Sequence, residues 1–512
     1  MTRHAGTVSG LTLLSRVAGL IRDMVFAFLF GAGKAADAFN IAFTIPNVFR
    51  RLLAEGALSI AFVPVFTEYK TTRSQEESRH LYNVTFTLFL IVLVAVTVVG
   101  VLASPLLVKL FAPGFEDDKF ALTVFLNRLV FPYLFFIGLT SLMIGILHTH
   151  RHFAAPAAAP VLLNAAIISA ALLLSGIVEP PITAMAIGVL AGGLLEVLLQ
   201  LPFVRLKGVR LRLRWDPAHR AVRKMLTLMG PAAFGIAVYQ INILVSRALA
   251  SLLPEGSVTY IYYSDRFLEL PLGVFAVAVA TVALPSLSEH ASLKQMDKLK
   301  DTLSFALRLT MFVCIPAMVW MAVCRQPLIA TLLQRGAFSR EDTLATCQVF
   351  LMASLGIWAV AGIRNLVPAF YAQKDVKTPV AIAFVAFLVN AGVGLLLMWP
   401  MGPSGLTLAN TISSTLNVVL LAVFLRRKIG PLGGRKVLAS VWRVLAASLC
   451  AGAAAFPFSQ MEVWGQDGHL GDKVLWLGLA GICGMAAFFI AAAILRVPEL
   501  GVFFKRLRRK KT

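Results

Sequence analysis

Apolar runs of about 20 residues recur along this chain from end to end, and only short polar gaps separate them. A helix needs about 20 residues to cross the ~30 Å hydrocarbon core of a bilayer. Lipid offers no partners for backbone N–H and C=O groups, so such runs must be helices. The sequence therefore predicts an all-α polytopic membrane protein with about 14 transmembrane helices. The expected spans are 8–32, 36–66, 82–111, 120–147, 157–176, 181–204, 230–253, 260–287, 303–324, 342–371, 379–399, 404–425, 437–457 and 473–495. Composition agrees: 58% of residues are hydrophobic and 14% charged, where soluble domains carry about a quarter charged.

The net charge of +22 does not indicate nucleic-acid binding, because of where the charge lies. It sits in gaps after even-numbered spans, such as Lys70 and Arg73, Arg205 to Arg214, Lys374 and Lys377, and Arg426 to Lys428, and in the tail Lys505 to Lys511. Gaps after odd-numbered spans hold few basic residues. Cytoplasmic loops facing anionic lipid carry such an excess, which predicts an even number of spans with both termini cytoplasmic. The segment Trp215–Met229 reads as an amphipathic surface helix, with Arg220, Arg223 and Lys224 flanking Val222, Met225 and Leu226. The five cysteines are scattered without CxxC spacing and read as packing residues. His148, His150 and His152 have no acid or cysteine nearby and read as interfacial, so no metal is expected. No Walker motif and no catalytic constellation is present, which points to a transporter without a cofactor rather than an enzyme.

The chain partly repeats itself. Pro64 and Glu68 recur as Pro285 and Glu289, Pro105 and Gly114 as Pro327 and Gly336, and Pro156 as Pro379, a near-constant shift of 221–223 residues. Six spans per repeat is an even number, so both copies share one orientation, and a cavity is expected between two bundles. The predicted architecture is two six-helix lobes related by a parallel repeat, plus two C-terminal helices. The N-terminal lobe covers 1–204, a cytoplasmic linker with the amphipathic helix 205–229, the C-terminal lobe 230–428, and spans 13–14 with the basic tail 429–512.

A charge at the centre of a span costs roughly 2.5–3.5 kcal/mol on insertion scales, so such residues face a cavity or a partner. Here they concentrate in three spans. Span 1 holds Arg16, Arg22 and Asp23; span 2 holds Asp37, Arg50, Arg51 and Glu55; span 8 holds Asp265, Arg266 and Glu269. Five basic residues face five acidic ones, so residue type carries more weight than net charge. The guanidinium fork suits phosphate. Arg51 and Glu55, four apart, are equally well read as a neutralising pair. Arg266 can reach Glu269. Arg22, Arg50 and Arg266 are the candidates for binding an anion, and Arg128 and Arg364 add to the field. Pro46 within span 2 and Gly31-Ala32-Gly33 at the end of span 1 predict a bent first hairpin.

The stretch Ser15-Arg16 through Gly19 to Arg22-Asp23, then Phe30 to Gly33, Asp37-Ala38-Phe39, Ile45-Pro46-Asn47, Arg50-Arg51 to Glu55-Gly56-Ala57, and Ala61 to Pro64 closely resembles the MurJ/MviN family. Tyr262 to Arg266 with Glu269 to Gly273, and Lys374 to Pro379, resemble it as well. The resemblance covers nearly the whole chain. It implies a lipid II flippase of the multidrug/oligosaccharidyl-lipid/polysaccharide exporter superfamily, in the bacterial inner membrane. The implied partners are lipid II (a disaccharide-pentapeptide on a polyprenyl pyrophosphate) and membrane lipids, with the membrane potential or a monovalent cation as the coupling source. It further implies that Arg16, Arg22, Arg50 and Arg266 are cavity arginines and that Asp37 and Glu55 are cavity acids. Thr259 stands where relatives can carry serine. The expected substrate-binding set is completed by Arg51, Asp265 and Glu269. The last two helices are implied to hold the polyprenyl tail.

Two other readings share much of this pattern. A flippase for another polyprenyl-linked saccharide would share the pyrophosphate contacts, and only the first-hairpin motif argues against it. A small-molecule or drug exporter would favour an apolar, aromatic or acidic cavity over this many arginines.

Overall fold

The computed structural model describes residues 2–52 and 58–501. The chain forms two compact units, residues 1–258 and 259–512. In the first, α1 (Thr2–Phe30) leads through a glycine corner to α2 (Lys34–Arg50). Then follow α3 (Leu58–Thr72), α4 (Gln75–Leu102), α5 (Ser104–Phe111), α6 (Asp117–Val130), α7 (Tyr133–Thr149), α8 (Ala154–Leu174), α9 (Thr183–Leu206) and α10 (Arg220–Ser251). The second opens with α11 (Ser257–Pro271), a π-helical turn (Leu272–Ala276) and α12 (Val277–Ser292). It continues with α13 (Met296–Val323), α14 (Arg325–Leu332), α15 (Arg340–Ser354), α16 (Ile357–Ala372), α17 (Lys377–Met401), α18 (Pro403–Ile429), α19 (Gly434–Ser459) and α20 (Leu470–Ile494). No strand occurs among the described residues.

Ten helical stretches among the described residues are long and apolar enough to cross a bilayer, counting α6–α7 and α15–α16 as one each. The other expected spans, 1, 2, 7 and 8, fall on α1, α2–α3, α10 and α11–α12. Spans 1, 2 and 8 are the ones in which the sequence concentrates charge; helices run on through Pro46, Pro64 and Pro285, and span 8 is interrupted after Pro271 by the π-turn.

The repeat is visible in element lengths. Helices α4 and α13 are both 28 residues long, and α13 begins 221 residues after α4. Each is followed by an eight-residue helix, α5 or α14, at the same offset. Span 3 is thereby split at Ala103. The expected separate surface helix at 215–229 is a second difference. Residues 220–229 are the opening turns of the 32-residue α10, which runs on through Gly230 and Pro231. Neighbouring groups can satisfy the backbone that a membrane-helix proline leaves open. Through Lys224, α10 reaches Glu68 of α3 at 2.6 Å.

Capping fixes several helix starts. Ser74 Oγ accepts the Glu77 amide while Glu77 Oε2 accepts the Ser74 amide, and Ser339 and Asp342 repeat the arrangement at the head of α15. Small residues set the packing, as in membrane helices generally. A Cβ on Gly405 of α18 would lie 2.2 Å from the Leu397 carbonyl oxygen of α17, and one on Gly188 of α9 would lie 2.7 Å from Ile167 Cα of α8. The first unit's core includes Phe62, Phe66, Tyr82 and Ile146. In the second, Phe312 and Ile315 of α13 pack with Val444 and Ala447 of α19 and Phe488 of α20. Buried Glu499 clamps this group by accepting Ser440 Oγ at 2.8 Å and pairing with Arg308 Nη1 at 2.9 Å.

The turn before α17 is held by one carboxylate. Asp375 accepts the Thr378 amide at 3.1 Å and Lys428 Nζ at 2.6 Å. The Lys428 ammonium first, then the Thr378 amide, hold its carboxyl down at about 2. A depressed carboxylate contributes stability above its ordinary value, and that contribution is lost as pH falls toward the folded value. Asp375→Ala is therefore expected to cost about 1 kcal/mol locally at neutral pH, as for a lost helix cap. The difference should shrink as pH falls from about 3.8 to about 2. Hydrogen exchange of the Thr378 amide in both proteins across that range checks this; a constant difference would remove the carboxylate from the account.

Candidate functional site

The corner between α1 and α2 follows from its glycines. Gly31 adopts φ +61°, which L side chains rarely enter, and its amide closes α1 on the Ala27 carbonyl at 2.9 Å. The bend expected at Gly31 to Gly33 is present. One face of α1 packs on α8, where Asn164 Nδ2 donates to the Ser15 carbonyl at 3.4 Å. Arg22 and Asp23 are both buried, at 7% and 4% exposure. Nε and Nη2 of Arg22 both donate to Asp23 Oδ1, at 3.1 and 2.7 Å. The two neighbours form a buried ion pair, which fixes the rotamer of the guanidinium. Arg16, Arg50 and Arg51 lie half-buried on α1 and at the end of α2. Glu55, and with it the expected pairing to Arg51, lies outside the described residues.

Asp37 is 1% exposed and accepts Lys119 Nζ of α6 and the Gly256 amide, each at 2.8 Å. Two further contacts hold the same turn after α10 within the first unit. The Lys34 amide donates to Glu255 Oε1, and the Gly114 amide donates to Ser251 Oγ at 3.1 Å. Gly114 has no room for a side chain, since a Cβ would lie 2.4 Å from the Ser251 carbonyl oxygen. Residues 251–256 are thus latched by three contacts, with Asp37 the most buried member.

In the second unit, Thr259 is fully buried at the start of α11, while Asp265 and Glu269 are exposed. Arg266 lies over the Tyr262 ring at 5.4 Å and reaches Glu269 at 3.4 Å. An exposed pair of this kind is worth no more than about 1 kcal/mol, so an anionic ligand can compete for the guanidinium. Tyr260 Oη donates to Asp342 at 2.8 Å, tying α11 to α15. After Pro271 the π-turn widens the helix, and Arg364 Nη1 donates to the Leu272 carbonyl there at 3.2 Å. Single π-turns recur at functional sites. The structure thus joins Arg22 to Asp23, Asp37 to Lys119, and Arg266 to Glu269.

The sequence profile described as Lipid II flippase MurJ matches residues 26–470. The chain belongs to that family. Among MurJ relatives, the probable lipid II flippase MurJ of Vibrio cholerae serotype O1 is 38% identical over 500 residues, covering 96% of this chain and 95% of the relative. A solved structure titled lipid II flippase MurJ, inward closed conformation, aligns with TM-score 0.80 and 26% identity over 95% of this chain and 98% of its own. An inward-facing multidrug resistance MATE family transporter of the MOP superfamily aligns with TM-score 0.71 at 14% identity, over 84% of this chain and 99% of its own, and shares the fold.

The sequence reading of this MurJ-family chain passed over two kinds of residue. Lys119, Glu255 and Gly256 lie 82 or more positions from their partners, and no local pattern links them. Glu196 and Gln200 of α9 are 2% and 0% exposed within a long apolar helix. For these a signal existed, an acid and an amide four apart in an apolar run.

Proposed function

We propose that this multi-pass membrane protein is a lipid II flippase. It carries the undecaprenyl-pyrophosphate-linked peptidoglycan precursor from the cytoplasmic to the outer leaflet of the bacterial inner membrane by alternating access. No bond is made or broken. The match to the family over residues 26–470 supports this reading most strongly. The chemistry agrees, because a doubly anionic diphosphate cannot cross hydrocarbon bare, and arginine forks compensate it at membrane depth. Arg16, Arg22, Arg50 and Arg266 contact the pyrophosphate during passage. Arg51, Glu55, Thr259, Asp265 and Glu269 contact the rest of the head group, and Asp37 holds the turn 251–256 in the state seen here. Helices α19 and α20 hold the polyprenyl tail. The membrane potential or a monovalent cation drives the cycle.

The test is reconstitution of the purified protein in vesicles with lipid II in one leaflet. Appearance of the head group on the opposite side, at a rate above that of empty vesicles, is expected. Equal rates would overturn the assignment.

Both termini are proposed to face the cytoplasm, with fourteen crossings between them. Cysteine placed at exposed Gln75 in a cysteine-free background should then be shielded from an impermeant thiol reagent in intact cells, and at exposed Glu116 it should label. Labelling at position 75 and not at 116 would reverse the orientation.

A further inference from the structure

The residues that lead into α10 form a cluster the transport reading does not use. After α9 the chain runs along α4, where the Arg212 amide donates to Asn83 Oδ1 at 2.9 Å and the Arg214 amide to Thr87 Oγ1 at 2.8 Å. These bonds fix the backbone just before the turn Asp216-Pro217-Ala218-His219. The turn places Asp216 and His219 beside His80, in the second turn of α4. His80 Nε2 lies 3.5 Å from Asp216 Oδ2, and the two imidazole rings are 5.7 Å apart. One ligand atom from each of the three residues falls within 4.8 Å of the others, and all three side chains are partly exposed.

We propose that His80, Asp216 and His219 form a site for a divalent transition metal of the zinc type. Two imidazoles and one carboxylate are a donor set that zinc accepts, with water as the fourth ligand. Bonds of about 2.0–2.1 Å in a tetrahedron put neighbouring donor atoms roughly 3.3 Å apart, close to the His80–Asp216 separation, so only His219 has to close in. The surroundings select among cations. Arg79, Arg214 and Arg220 are neighbours in sequence and repel any cation electrostatically. That disfavours calcium and magnesium, which rely on oxygen donors and net negative charge, and favours a metal with strong bonds to imidazole.

Binding has a local consequence. His219 Nδ1 accepts the Ala221 amide at 3.2 Å and so caps α10. A metal on Nδ1 takes that lone pair directly. A metal on Nε2 requires the proton of the neutral ring to sit on Nδ1, which then cannot accept. Either way, coordination exchanges the cap for a tie between the turn and α4.

The test uses the full-length protein in detergent without a polyhistidine tag, titrated with zinc and, for its absorption spectrum, cobalt. One equivalent of zinc should bind, at least about 10-fold more weakly in His80→Ala, in His219→Ala and in the shape-preserving Asp216→Asn. Cobalt should give the d–d bands of a tetrahedral site in the wild type and lose them in the variants. Zinc should also speed hydrogen exchange at the Ala221 amide in the wild type and not in His80→Ala. His150→Ala, on an adjacent helix end, should bind zinc as the wild type does. Lipid II transport without metal should be retained by the three site variants, showing that they fold. Wild type that takes up no zinc at micromolar concentration, or unchanged affinity in all three variants, would overturn the proposal.

Discussion

Arg22→Ala is expected to abolish lipid II transport while the protein still inserts in the membrane. Two effects add at this position and have to be separated. The first concerns the substrate, since the fork is gone and the diphosphate loses a directional donor. The second concerns the fold: Asp23, 4% exposed, loses the guanidinium that compensates it. Removing one partner of a buried ion pair costs about 3–5 kcal/mol. The double variant Arg22→Ala with Asp23→Ala removes both members of the pair and is expected to be more stable than Arg22→Ala without regaining transport. Recovery of transport in the double variant would make the pair purely structural. Arg22→Lys keeps a charge beside Asp23 but loses the fork, and should be stable and slow. Arg266→Ala should stop transport, and loss of its pairing to Glu269 should itself cost no more than about 1 kcal/mol. Arg50→Ala serves as the third member of the set, with lipid II binding to each purified variant as the common measurement.

Asp37→Ala is expected to release the turn at 251–256 and to lower stability by about 3 kcal/mol, the lower end for a buried pair because Lys119 keeps some contact with water. Hydrogen exchange localises the effect. Protection at the Gly256 amide should fall sharply, while protection in the middle of α8 and α9 should not change. Transport should fall with it, since the state in which this turn is held would be lost. Lys119→Met should reproduce the loosening in weaker form, because the Gly256 amide still has its acceptor. Unchanged protection at Gly256 in Asp37→Ala would show that the other two contacts suffice and that Asp37 serves the head group directly.

The parts of this structure that were legible in the sequence are those set by local rules. Apolar length gave the long helices, because lipid imposes one solution on such runs. Gly31 gave the corner between α1 and α2, because glycine enters its backbone angle without the strain that L side chains meet there. The repeat was carried by prolines, and it reappears as paired element lengths. Local rules separated a surface helix at 215–229 from a span at 230–253, where one helix runs from Arg220 to Ser251. Charge at depth singled out Arg22, Asp37 and Arg266, but did not identify their partners. Arg22 turns to its immediate neighbour, and Asp37 to a lysine 82 positions on and an amide 219 positions on. Asp216-Pro217-Ala218-His219 meets His80 across 136 residues, and only the folded chain brings those donors together.

Helix α10 has 32 residues, and at 1.5 Å per residue it is about 48 Å long. A hydrocarbon layer is only ~30 Å thick. A helix of this length that crosses one has turns to spare beyond the hydrocarbon, and in α10 the opening turns are those that begin beside His219 and carry Lys224 to Glu68. A rigid rod that projects from the bilayer works as a lever. A tilt of 5° about its far end sweeps the projecting tip through roughly 4 Å, more than the length of a hydrogen bond. Small reorientations of α10 within the lipid would thus register at its wet end as contacts made or broken.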